Sequence, residues 1–151
     1  MNTDIRAFLI ESNGIEGITR EPARLLSEIS LARFFLEKVD AIDVDVMKEL
    51  ATTFEPDAKL RNQPGMDVRV GDYHPPEGGL YVREALADIL RYGIKFTPRQ
   101  IHQDYEKLLP FTDCNGRTGR LLWLWRMEKF HGGAPRGFLY HFYMQTLSEG
   151  R

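Results

Sequence analysis

The sequence predicts an all-α fold, a helical bundle with one short β-hairpin. Three observations lead there. Apolar residues recur at helical spacing over most of the chain, recognisable helix starts stand before several of these runs, and only Met66–Gly71 alternates apolar with polar at period two.

Taken in order, Ile5, Phe8 and Leu9 share one face of a short first helix that reaches Ser12 and loosens at Asn13-Gly14. Thr19 is placed to cap a longer second helix with Pro22 in its first turn. Its apolar positions are Leu25, Leu26, Ile29, Ala32, Phe35, Leu36 and Val39. Asp43 opens a third helix carrying Val44, Met47, Leu50, Ala51 and Phe54. Three such stripes must be covered by one another or by further helices, which argues for a bundle. The pattern then breaks. Gln63-Pro64-Gly65 signals a turn, Met66–Gly71 alternates, and Tyr73-His74-Pro75-Pro76-Glu77-Gly78-Gly79 excludes regular structure. A hairpin or extended flap over 62–79 is expected, leaning on the helices or on a bound partner because so small a hairpin is marginal alone. Helical spacing resumes from Tyr81 with Val82, Ala85, Leu86, Ile89 and Leu90, and stops near Gly93. Thr97-Pro98-Arg99-Gln100 reads as a capping box starting a helix through Leu108. Beyond Asp113–Gly116, the run Leu121, Leu122, Leu124, Trp125 and Met127 is apolar on more than one side, the mark of a central buried helix. Gly132-Gly133-Ala134-Pro135 ends it, and Phe138–Leu147 forms a last, aromatic helix whose Phe138, Tyr140, Phe142 and Tyr143 are expected in the core, the alternative being a dimer contact.

At 151 residues one domain is expected, spanning 1–151, with no internal repeat or linker. Twenty basic against 22 acidic side chains leave a formal charge of −2, so no global field recruits nucleic acid or an anionic membrane. A single cysteine, Cys114, excludes an internal disulfide and fits a reducing compartment. No apolar run approaches the ~20 residues that span a bilayer, and Met1–Arg6 lacks a signal-peptide layout, so a cytoplasmic protein is expected. The sequence does not specify an oligomeric state.

The densest chemistry lies in Leu109-Pro110-Phe111-Thr112-Asp113-Cys114-Asn115-Gly116-Arg117-Thr118-Gly119-Arg120. A carboxylate, a small-residue turn and two arginines three apart fall where an apolar helix begins. Helix starts offer unpaired N–H groups and the positive end of the dipole to anions. Gly116 and Gly119 permit close backbone approach, and Asp113 is a hard oxygen ligand of the kind Mg2+ takes. Arg117 and Arg120 repel the helix dipole, so an anion or carboxylate should compensate them. The other reading is a loop whose Asp113 and Asn115 merely cap a helix beside solvated arginines.

This segment, 109–120, resembles the signature of the Fic family, His-Pro-Phe-x-Asp/Glu-Gly-Asn-Gly-Arg-x-x-Arg. Pro110, Phe111, Asp113, Asn115, Gly116, Arg117 and Arg120 match it. Ser12-Asn13-Gly14-Ile15-Glu16-Gly17, within 1–18, is similar to the family's inhibitory pattern, Ser/Thr-x-x-x-Glu-Gly/Asn. Val68–Pro76 resembles its target-docking flap, and Ile101–Leu108 its helix leading into the signature. The resemblance implies a Fic-type helical bundle and transfer of AMP from ATP to a hydroxyl of a target protein. Asp113 would hold Mg2+, Asn115 and Gly116 would position the phosphates, and Arg117 would neutralise them. Arg120 would meet the terminal phosphate, or pair with the inhibitory Glu16 in a resting state in which Ser12 also takes part. The flap edge at Val68, Arg69, Val70 and Gly71 would align a target by strand addition.

Two positions depart from the pattern. Leu109 stands in place of the histidine that takes the proton from the target hydroxyl, a contribution of about 10²–10⁴-fold that leucine cannot supply. Cys114 replaces a glycine; it fits at negative φ but crowds the site at positive φ, and beside a helix start its thiol is either an ordinary turn residue or acidified and oxidisable. Among other groups, His74 in the flap is better placed as a substitute base than His102 two turns before Leu109, His131 and His141 are distant, and Glu16 offers a carboxylate that would activate water for hydrolysis rather than transfer. Two functions follow: a nucleotide-binding Fic-type domain with transfer weakened or lost, or an active transferase using another base and held off by Glu16.

Overall fold

The structure is a computed structural model, and it describes residues 2–92 and 95–149. The chain falls into two compact units, residues 1–40 with 120–151, and residues 41–119. Seven helices are present among the described residues: α1 (Ile5–Ile15), α2 (Pro22–Lys38), α3 (Val44–Phe54), α4 (Leu80–Tyr92), α5 (Pro98–Leu108), α6 (Asn115–Phe130) and α7 (Phe138–Glu149). The protein is predominantly helical, as its periodicity predicts.

In the first unit α1 packs on α2 and α7. Asp4 caps α1 by accepting from Ala7 N at 3.0 Å. The helix runs past the expected loosening at Asn13-Gly14, because Asn13 Nδ2 donates 2.9 Å to the buried carboxylate of Glu28 on α2. Thr19 is not the cap of α2; Glu21 holds that position without a side-chain hydrogen bond, and Pro22 begins the helix. Leu26, expected on the apolar face, is 63% exposed, lying beside that face rather than on it. The α6 segment in this unit is enclosed as expected: Phe8 stacks on Trp123 at 6.3 Å between ring centroids, and Phe138 meets the same indole edge-on at 5.1 Å. Trp125 Nε1 donates 2.8 Å to the carbonyl of Val39. On α7, Phe138 is buried but Tyr140 and Tyr143 are exposed, so the core expectation fails for those two; only one stripe of the helix faces its neighbours.

The second unit is built on α3, whose Val44, Met47, Leu50, Ala51 and Phe54 are all buried. Asp43 caps it by accepting from Val46 N at 2.9 Å. Helix α4 packs on α3 and α5. The expected stop near Gly93 lies outside the described residues. Thr97 caps α5, accepting from Gln100 N at 3.2 Å. Among the described residues, β-pairing is confined to two isolated antiparallel bridges, Leu60 with Phe111 and Val70 with Tyr73. The segment 62–79 is therefore mostly irregular chain, turning back on itself between Val70 and Tyr73. Its alternation builds no buried face, since Val70 is exposed and Val68 only half-buried.

What ties that segment down is Arg61, which is fully buried. Its Nε donates to the Leu109 carbonyl at 2.7 Å and its Nη2 to the Leu108 carbonyl at 2.9 Å. Nη1 donates to the Met66 and Pro76 carbonyls at 3.1 and 3.0 Å. Tyr73 adds a hydroxyl hydrogen bond to the Lys107 carbonyl. Replacing Arg61 by methionine keeps the aliphatic stem and strands four acceptors. Each buried unsatisfied polar group costs about 1–3 kcal/mol, so a loss of about 3 kcal/mol or more is expected in urea unfolding. An unchanged unfolding midpoint would mean that water replaces the guanidinium at no cost.

Candidate functional site at the start of α6

The chain enters this region through a left-handed residue. Leu109 has φ 46° and ψ 66°, and its N–H donates 3.0 Å to the Tyr105 carbonyl, closing α5. Its side chain is buried. Non-glycine residues at positive φ are uncommon, with asparagine, aspartate and histidine enriched, so this backbone does not itself call for leucine. The next residues pair antiparallel with the chain after α3: Arg61 N donates to the Pro110 carbonyl and Thr112 N to the Lys59 carbonyl, both at 2.9 Å. Asn115 then grips the loop from inside. Its Oδ1 accepts from Phe111 N and its Nδ2 donates to the Phe111 carbonyl, both at 2.8 Å. The expected phosphate-positioning residue thus also clamps the loop that carries the signature.

Cys114 has φ +57°, the case in which a side chain is unfavourable. A left-handed conformation costs an L-residue roughly 1–2 kcal/mol. The buried thiol donates to the Ala51 carbonyl at 3.4 Å, turned onto α3. Burial pushes its pKa up to about 12, with the neighbouring Arg117 opposing and Asp113 and Glu55 adding to the shift. Of the two readings the acidified thiol therefore falls and the ordinary turn residue stands: desolvation outweighs the adjacent arginine, and the group is protonated at neutral pH.

Asp113 is largely exposed, and its Oδ1 accepts from Cys114 N at 2.6 Å. The first intrahelical bond of α6 is Thr118 N to the Cys114 carbonyl at 3.0 Å, so the N–H groups of Asn115, Gly116 and Arg117 precede any acceptor in their own helix. Arg117 is buried. Its Nη1 meets Glu55 Oε1 at 2.8 Å, its Nη2 lies 3.8 Å from Asp113 Oδ1, and its guanidinium sits 5.9 Å over the Phe54 ring. Nε of Arg117 is buried with no hydrogen-bond acceptor among the described residues. Gly119 lets α5 approach: a Cβ there would fall 2.9 Å from Tyr105 Cδ1 and would also strike the Glu106 carboxylate.

One turn further along α6, in the other unit, Arg120 is also buried. Its Nε donates to Ser12 Oγ at 2.7 Å, and its Nη2 donates to the Ser12 carbonyl at 3.0 Å and to Glu16 Oε1 at 2.7 Å. The structure thus brings Arg120 to Ser12 and Glu16, residues singled out by sequence and more than a hundred positions away from it. Glu28 supports them: its carboxylate accepts from Asn13 Nδ2 at 2.9 Å and from Arg20 Nε at 3.0 Å, so it grips the chain on both sides of Glu16.

The remaining expected residues lie apart from these contacts. Arg69, Val70, Gly71 and His74 are exposed on 62–79, and Val68 is half-buried there. His102 is buried on α5, 3.7 Å from Glu106. A cavity of about 450 Å3 opens between α4 and α5, lined by Ile89, Tyr92, Phe96 and Ile101 with Asp88 and Asp104, and no signature residue borders it. Sequence reasoning missed Glu55, Arg61 and Glu28. Nothing local marks them, because each acquires its role from partners distant along the chain.

No family model matches this chain, and no curated protein matches it. Among the described residues no three His, Cys, Asp or Glu side chains gather as a metal centre, and no helix is long and apolar enough to cross a membrane.

The raised thiol pKa predicts an alkaline weakness. The unfolded thiol ionises near pH 8.5–9, while the folded one holds its proton to about pH 12. Its contribution to stability is complete below the unfolded value and is lost as pH rises through that window. Thermal melts from pH 8 upward should show the midpoint falling less steeply for Cys114→Ala than for the natural chain. Parallel slopes would remove the thiol from the account.

Proposed function

We propose that this chain is a Fic-type domain that binds ATP with Mg2+ at the start of α6, and in which transfer of AMP to a target hydroxyl is weakened or lost. The observation that carries the reading is the triple contact of Arg120 with Ser12 and Glu16. In the resemblance, the same arginine serves an inhibitory glutamate and a phosphate alternately. Two residues of an N-terminal pattern meeting the last arginine of an independent pattern is a coincidence that a generic helical domain does not require. Carboxylate and phosphate are interchangeable acceptors for a guanidinium, so a contact with one supports binding of the other.

The side chains present suit such a ligand. Asp113 has an exposed carboxylate for Mg2+, the first N–H groups of α6 are directed out of the helix end, and Arg117 has a buried Nε donor without an acceptor. Arg120 would meet the terminal phosphate after Glu16 withdraws. ATP would supply the activated AMP group. The proton of an attacking hydroxyl then needs an acceptor, and Leu109 has none to offer. On this reading the flap at Val68–Gly71 serves to dock a target protein, and the domain acts through binding, as a pseudoenzyme under autoinhibition by Glu16.

Labelled ATP with Mg2+ tests the reading on three proteins: the natural chain, Glu16→Gly, and Glu16→Gly with Leu109→His. Labelled protein is expected only in the third, at about 10²-fold or more above the second. Strong labelling of Glu16→Gly alone would favour an active transferase with a different base. In thermal shift, Mg-ATP should raise the melting temperature of Glu16→Gly, and Arg117→Ala should abolish the rise. A rise that survives Arg117→Ala would place the nucleotide elsewhere.

A further inference from the structure

Glu55 follows the last residue of α3 and lies 62 positions from Arg117, yet its Oε1 accepts from Arg117 Nη1 at 2.8 Å. Three features make this pair resemble a gate more than a permanent tie. First, the partners are unequally buried: the arginine side chain is 4% exposed and the glutamate side chain 24%, so the carboxylate is the partner nearer to water. The pair at Arg120 has the same asymmetry, 6% against 39%. Second, Arg117 has a contact besides Glu55, its guanidinium lying 5.9 Å over the Phe54 ring. Third, Glu55 is the C-terminal cap of α3, where the helix dipole is negative and a carboxylate is disfavoured.

With Asp113 3.8 Å away on the other side, the guanidinium faces two carboxylates, and a phosphate arriving there meets their repulsion. Asp113 would be neutralised by the cation it binds. Glu55 would not, and it competes for Nη1 directly. We infer that Glu55 is a second gating carboxylate, a residue that an incoming nucleotide phosphate must displace from Arg117. Release of Glu16 from Arg120 therefore leaves Arg117 still paired with Glu55. This inference rests on the nucleotide-binding reading above and names a regulation of that same site.

The test is equilibrium binding of ATP, with and without Mg2+, to the full chain and to Glu16→Gln, Glu55→Gln, the double variant and Arg117→Ala. Glu55→Gln should tighten ATP about tenfold whether or not Mg2+ is present, and its effect should multiply with that of Glu16→Gln. If Glu55→Gln leaves binding unchanged or weakens it while Arg117→Ala abolishes it, Glu55 is a structural partner and the inference falls with the nucleotide reading intact. A change seen only with Mg2+ assigns Glu55 to the metal and equally overturns it. If no variant binds ATP, or Arg117→Ala binds as well as its parent, the nucleotide reading itself fails. Should Glu55→Gln not fold, Glu55→Asp, which retracts the carboxylate by one methylene, must tighten ATP in the same direction; failure of both to fold makes Glu55 structural and ends the proposal.

Discussion

The guanidinium of Arg61 donates to four carbonyls, two at the C-terminal end of α5 and two in the irregular segment that follows Arg61 itself. An arginine can do this because its planar fork offers five N–H donors in fixed directions, where a lysine offers one point charge. The end of α5 supplies orphan carbonyls and the negative end of a dipole, so backbone groups compensate the buried cation. Burial lowers the Arg61 pKa, and the charge of Asp67 partly restores it. The conformation at Leu109 and the course of 62–79 are thereby set by the same group. The signature loop is then closed by the bridge between Leu60 and Phe111 and by the Asn115 clamp.

On this scaffold the start of α6 has an electrostatic difficulty, since two arginines sit in its first turns where positive charge is disfavoured. Each is answered by a carboxylate: Glu55 on Arg117 in one unit and Glu16 on Arg120 in the other. In both pairs the cation is the more buried partner. Glu28 adds a fixed element, buried and holding Asn13 and Arg20, so the chain that delivers Glu16 is anchored before and after it.

The loop between α5 and α6 passes twice through left-handed backbone, at Leu109 and at Cys114. Both side chains are buried, and both positions are those at which the resemblance to the Fic signature breaks. Strain of this kind persists only where surrounding contacts over-determine it. Here those contacts are the Arg61 fork, the Tyr105 carbonyl and the Ala51 carbonyl. On the proposed reading the binding groups of this loop, its backbone and arginines, are separable from the side chain at 109, to which proton transfer would fall.

The helical class, the starts of α3 and α5 and the buried character of α6 were legible in the sequence because they depend on neighbours three or four residues away. Asp43 and Thr97 cap as their positions imply, whereas Thr19 does not. The pairing of Ser12 and Glu16 with Arg120 was accessible only through resemblance between two motifs. Arg61, Glu55 and Glu28 gave no signal, because a charged residue in a polar stretch looks solvated until distant chain encloses it. Cys114 shows the division most sharply. Its identity was plain from sequence, but whether its thiol was acidic depended on burial, and burial arises from long-range packing. Sequence by itself determined which chemical groups are available near α6; tertiary structure decided which of them are already paired, because desolvation and ion pairing depend on neighbours that proximity along the chain does not supply.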